Sequence, residues 1–289
     1  MNKLFKNITF MSAMTCGSFM ISCQQQELST LIQPAANDNE IVQAPPVMIP
    51  ELKLSNFGKD SLIYDANGRL KRVLNIVGYL TLRTEYEYAT NSVVAKYYEN
   101  DQIEVTKQWT LENGRAVKLV RKYFHAPTVS GVSTMNVDYH YNNLNQLATL
   151  NTHDGYKSTI TLSYDNLGNV AKVLFVNNTD QGDKFENLVK FDYSEYVGGP
   201  TEPAKGTINN LHVFGPHALD WIGDPYLPIF GKFGKNLVKK VIPTNSTQPC
   251  SYAYVLDDKG YVKEKNDLSK KGVIESTEKV KYFNPVSNR

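Results

Sequence analysis

The 289-residue chain is poor in cysteine: there are three, Cys16, Cys23 and Cys250. Cys16 sits inside an N-terminal apolar stretch and Cys23 follows it directly. Once a leader is removed and Cys23 is modified, Cys250 has nothing to pair with. That excludes a disulfide framework and leaves Cys250 as a small, partly buried side chain. Excess charge is also missing: beyond residue 22, 29 basic side chains face 29 acidic ones. Nucleic-acid binders gather basic residues on one face, and only the short "SKKGV" segment is locally basic, so no nucleic-acid partner is expected.

Catalytic signatures are missing as well. There is no GxSxG, no P-loop and no dinucleotide fingerprint, and "GKFGKN" at 231–236 lacks the P-loop spacing. His217, Asp220 and Asp224 do not have the spacing of a zinc motif. His125, His140, His153 and His212 stand singly, and no acid pair singles itself out as a glycosidase pair. The expectation is therefore no catalytic residue, no metal site, no cofactor and no enzyme activity.

What is there begins with an address. Lys3 and Lys6 precede "ITFMSAMTCGSFMI", an uncharged apolar stretch too short to span a bilayer comfortably. Ser22 then leads into Cys23, and "MISC" at 20–23 resembles the lipobox of bacterial lipoproteins, with Met20 in place of the usual Leu. That resemblance implies a signal peptide over 1–22, acylation of Cys23 and a membrane partner through the lipid anchor. Gln24, which is not the Asp of inner-membrane retention in enteric bacteria, points to the outer membrane, with the leaflet open. Residues 23–50, rich in Gln, Asn, Ala and Pro, read as a flexible tether.

From 51 to 289 the pattern is β. "TLRTEYEY" sets Leu82, Thr84, Tyr86 and Tyr88 on one face and Thr81, Arg83, Glu85 and Glu87 on the other. "STMNVDYHY" does the same with Met135, Val137, Tyr139 and Tyr141. Such alternation predicts half-buried antiparallel strands, ten to fourteen of them by our reading. A phrase recurs among them. Tyr64-Asp65-Ala-Asn-Gly68-Arg-Leu70 returns as Tyr164-Asp165-Asn-Leu-Gly168-Asn-Val170, and the set Tyr141, Asn145 and Leu147 fits it. Tyr88, Ser92 and Val94 fit loosely, while the phrases around Gly114 and Gly260 keep the turn but lose the Tyr. Gly or Asn at the turn tolerates positive φ, which two-residue hairpin turns need, so each instance predicts a reused hairpin.

These phrases resemble the YD repeats of RHS and teneurin shells. In order and behind a lipobox they are similar to the small Bacteroidetes lipoproteins called DUF4595. The resemblance spans about 55–285 and implies an all-β, antiparallel meander of repeated hairpins forming an open, curved sheet. It brings no established chemistry with it.

Between 197 and 245 the alternation stops and large apolar residues crowd together. Pro216 and Pro225 suit helix starts, so about 211–240 reads as an insertion of one or two short helices covering one face of the sheet. A second reading of the same segment pairs Trp221 and Tyr226 as a stacking platform for a sugar, with Asp220 and Asp224 as acceptors. The function expected is a non-enzymatic envelope lipoprotein that acts as a binding or scaffold module, with a glycan or another envelope protein as partner. Its alternatives are a glycan-binding accessory of a nutrient-uptake system and an envelope hydrolase.

Overall fold

In a computed structural model of the chain, the described residues are 52–124, 134–153, 157–178, 184–193, 222–231, 233–234, 236–244 and 249–284. They carry sixteen strands. The first eight are β1 (Lys53–Phe57), β2 (Asp60–Tyr64), β3 (Leu70–Val77), β4 (Leu80–Ala89), β5 (Ser92–Glu99), β6 (Gln102–Glu112), β7 (Arg115–Tyr123) and β8 (Thr134–Tyr141). The rest are β9 (Leu147–Thr152), β10 (Lys157–Tyr164), β11 (Val170–Asn178), β12 (Lys184–Asp192), β13 (Lys240–Pro243), β14 (Cys250–Leu256), β15 (Val262–Leu268) and β16 (Ile274–Phe283).

Every strand pairs antiparallel with its neighbours in sequence, and β16 returns to pair with β1, from Lys53 opposite Phe283 to Phe57 opposite Val280. The meander is therefore a closed barrel. The open curved sheet expected from the sequence is corrected by this one pairing, which joins the two free edges that an open sheet would expose.

Period-two alternation sorts the wall into two faces. Val93, Ala95, Trp109, Leu119, Val137, Leu150 and Ile160 are buried on the lumen side. On the outer face Arg72 and Glu85, directly opposite each other on β3 and β4, form an ion pair of 2.8 Å. Arg83 reaches Asp101 at 3.0 Å, and Lys96 pairs with Glu87. Tyr86 from "TLRTEYEY" and Met135, Val137 and Tyr139 from "STMNVDYHY" all face the core.

The repeated phrase builds one loop several times over. After Tyr64, the Oδ1 atom of Asp65 accepts from the backbone N–H of Asn67 (2.9 Å) and Arg69 (2.8 Å), while Gly68 N donates back to Asp65 O at 2.9 Å. Asp165 repeats this with Leu167, Asn169 and Gly168, Asn142 with Leu144, Gln146 and Asn145, and Asp257 with Lys259, Tyr261 and Gly260. The closing residue is left-handed each time, with φ of 73° at Gly68, 61° at Asn145 and 84° at Gly168 and Gly260. The two-residue turn expected here is thus a longer loop. An Asx side chain caps its interior N–H groups, and the register slips by one residue, pairing Tyr64 with Leu70 and Tyr164 with Val170. A two-residue turn does occur at Asn113-Gly114, where both residues have positive φ, 50° and 76°.

The described part of the segment read as a helical cover, 222 onward, forms no helical element. It runs through the lumen instead. Ile222, Leu227, Ile229, Phe230, Phe233, Leu237 and Val238 are buried in one core with the inward wall residues. Phe230 meets Trp109 edge-on at 5.9 Å between ring centroids and lies 5.6 Å from the ring of Tyr139. Backbone bonds fix the segment to the wall: Ala116 N donates to Ile229 O (2.9 Å), and Val170 N to Phe233 O (3.4 Å). Gly223 passes so close to Phe230 that a Cβ there would sit 2.3 Å from the ring, so only glycine fits.

Candidate functional site: a polar cavity at one barrel mouth

One part of the lumen departs from the apolar rule. At the end that carries the β1–β2, β3–β4 and β5–β6 turns, Asp60, Asn75, Thr84, Glu99 and Lys107 line a cavity of about 330 Å³ together with Asp224 of the central segment. Tyr86, Tyr97 and Tyr226 supply aromatic walls.

The cavity is held by a network centred on two carboxylates. Asp224 is only 3% exposed. Its Oδ2 accepts from the hydroxyls of Tyr86 (2.7 Å) and Tyr97 (3.2 Å), and its Oδ1 from the backbone N–H of Tyr226 (2.9 Å). A buried carboxylate needs such donors, because desolvation without them costs several kcal/mol, of order ~2–7 even for a neutral polar group. Asp60 accepts from Asn75 Nδ2 at 2.6 Å and from the Tyr226 hydroxyl. Burial raises the hydroxyl pKa of Tyr86 well above the ordinary value, and the Asp224 charge adds to it. Tyr226 is raised in the same way, by burial first and then by Asp60. Both phenols therefore remain donors at neutral pH. Lys107 is 4% exposed, with its ammonium 4.7 Å from the centre of the Tyr97 ring.

The residues singled out from sequence fall in three places. Tyr64, Asp65, Gly68, Tyr164, Asp165, Gly168 and Gly260 sit at or in the loops at the opposite end of the barrel from the cavity. Tyr226 and Asp224 line the cavity, so the Tyr226 ring belongs to its wall. Trp221, Cys23, His217 and Asp220 lie outside the described residues. Cys250, expected to be partly buried, is exposed at the start of β14. Asp60, Tyr86, Tyr97 and Lys107 were not singled out from sequence. A signal existed for Lys107, which shares its parity on β6 with Trp109 and so puts a charge on the buried face.

Fold and site together define a closed antiparallel barrel with a filled lumen and a polar cavity at a mouth. No family model and no curated protein matches the chain. Among solved structures it is similar to a porin-like protein from Bacteroides uniformis, with a TM-score of 0.53 and 20% identity over 78% of this chain and 89% of that one. It is also similar to a porin-like protein from Bacteroides vulgatus, with a TM-score of 0.60 and 13% identity over 81% of this chain and 99% of that one. At these identities the likeness is one of fold.

Proposed function

We propose that this chain is a non-enzymatic lipoprotein of the outer membrane, anchored through an acylated Cys23, and that its barrel is a binding or scaffold module rather than a channel. The observation that carries this reading is the polarity of the wall. A membrane-spanning barrel turns an apolar band outward and a polar surface inward. Here Arg72, Glu85, Lys96 and Glu87 face outward, while Trp109, Val137 and Leu150 face inward onto the central segment. Arg and Lys at a bilayer midplane cost about 2–4 kcal/mol each, and Asp or Glu less, so the wall suits water. Likeness to the DUF4595-type lipoproteins belongs to the same proposal, as does a location in the envelope. The barrel fold shared with the porin-like proteins supports the envelope location. The test is a planar-bilayer conductance measurement on the purified protein. No conductance steps are expected, and steps of a defined size would overturn the reading.

A second reading, a glycan-binding accessory of a nutrient-uptake system, is favoured by one observation. Asp224 and Tyr226, paired here with Asp60, Thr84 and Lys107, sit in a cavity of small-molecule size.

A further inference from the structure

We infer that the mouth cavity is a binding site for a neutral, polyhydroxylated ligand of about one sugar ring; this deepens the glycan-accessory reading and rests on it. Elsewhere the inward positions are mostly apolar, with Val93, Ala95, Val137, Leu150 and Ile160, and the inward Lys265 is paired with Asp267 (3.0 Å) and Glu278 (2.8 Å). At this mouth the same inward positions carry Asn75 on β3, Thr84 on β4, Glu99 on β5 and Lys107 on β6. Core packing alone has no use for this set, since polar groups in a core cost stability unless each is satisfied. Places where a sequence breaks its own local rules are where function is expected.

The chemistry of the lining selects the ligand. Asp60, Glu99, Glu104 and Asp224 outnumber Arg83 and Lys107 in the lining and so oppose an anion, and an apolar ligand would strip these groups of water without replacing it. Thr84 lines the cavity, and its hydroxyl can both donate and accept, so an incoming hydroxyl group meets a neutral partner. A ring bearing hydroxyls can donate there and to the carboxylates, and its C–H face can lie against tyrosine. The volume, about 330 Å³, is at the small end of ligand pockets, which run from about 300 to 1,000 Å³. It suits one ring or the end of a chain rather than a polymer laid along a groove.

The test is calorimetric titration of the full acylated chain in mild detergent with the methyl glycosides of glucose, galactose, mannose, xylose and N-acetylglucosamine. Butylamine serves as a cationic control, and immobilised polysaccharides as a polymer control. At least one glycoside binds, and Thr84→Phe, which fills the cavity, weakens it by about tenfold or more (~1.4 kcal/mol) with the unfolding temperature retained. Glu99→Gln, at the exposed rim, is the second variant should Thr84→Phe not fold, and it also weakens binding. Glycoside binding that survives both variants overturns the assignment. Butylamine binding in place of glycosides, lost in Thr84→Phe, makes the cavity a cation site and also overturns it. Polysaccharide capture that both variants leave unchanged defeats the cavity assignment but keeps the accessory reading. Binding of neither monomer nor polymer defeats both.

Discussion

The hydroxyl of Tyr164 donates a 2.7 Å hydrogen bond to the carbonyl oxygen of Leu147, two strand ends apart on β10 and β9. Leu147 is the aliphatic residue that closes the preceding copy of the repeated phrase. The same bond joins Tyr88 to Leu70 (2.8 Å), Tyr141 to Ala116 (2.8 Å) and Tyr193 to Val170 (2.7 Å). Tyr64 and Tyr254 make it to Leu54 and Val238, each at 2.8 Å. Each phrase that carries a tyrosine thus hands it to a carbonyl of the preceding strand, and Tyr193 and Tyr254, outside the phrases, make the same bond, which gives the tyrosine a reason: it stitches one rim of the barrel.

Removing one stitch tests this. Tyr164→Phe keeps the ring and deletes the donor, leaving the Leu147 carbonyl short of a partner inside the wall. A loss of about 1 kcal/mol is expected, read as a lower urea midpoint with an unchanged slope. An unchanged midpoint would make the bond ornamental.

Tyrosines also set the behaviour at high pH. Burial pushes the Tyr64 hydroxyl up to about 12, and burial also raises Tyr88, Tyr141, Tyr164, Tyr193 and Tyr254. A raised pKa in the folded state favours the neutral phenol. This stability is fully present below the unfolded value near 10 and is lost as pH climbs through the folded one. Alkaline titration followed by circular dichroism should show unfolding above about pH 10, coincident with tyrosinate absorbance. Ionisation of the buried tyrosines near pH 10 in a barrel that stays folded would contradict it, whereas the exposed Tyr79 is no part of the test.

The loops predict a difference between their residues. Gly168 has φ of 84°, and a Cβ there would lie 3.3 Å from Gln146 Nε2. Gly168→Ala should cost about 1 kcal/mol or more, mostly from backbone strain. Gly168→Asn should cost less, because Asn145 holds the same conformation in the neighbouring loop with φ of 61°. Denaturant midpoints of the two variants rank them.

Phe230 tests the filled lumen. It is 1% exposed, between Trp109 and Tyr139. Phe230→Ala should cost about 3–5 kcal/mol and shift the emission of Trp109 as its packing is lost. A loss below about 1 kcal/mol would mean the central segment does not fill the core as described.

Much of the wall was legible because alternation reports a buried face directly, as with Met135, Val137 and Tyr139. The sites of turning were legible from Asp65, Gly68, Asp165 and Gly168, although the loop type depends on side-chain capping that a Gly-containing phrase does not distinguish. Closure was not legible. The pairing of Phe57 with Val280 joins strands from opposite ends of the chain, and no local pattern encodes such a contact. The central segment misled for a related reason. A stretch enclosed by wall on several sides has no solvent face, so its dense apolar residues carry no period to separate a helix from an irregular chain. Polar residues on lumen positions, Lys107 above all, were the visible trace of the cavity.

The most direct test of the account is fractionation of cells expressing wild type and Cys23→Ser, without detergent, followed by circular dichroism of the purified variant. Wild type is expected in the membrane pellet, and the variant as a folded β-barrel in the soluble fraction. A Cys23→Ser variant that stays in the membrane and leaves it only with detergent would mean that the wall itself faces lipid, and would contradict the account.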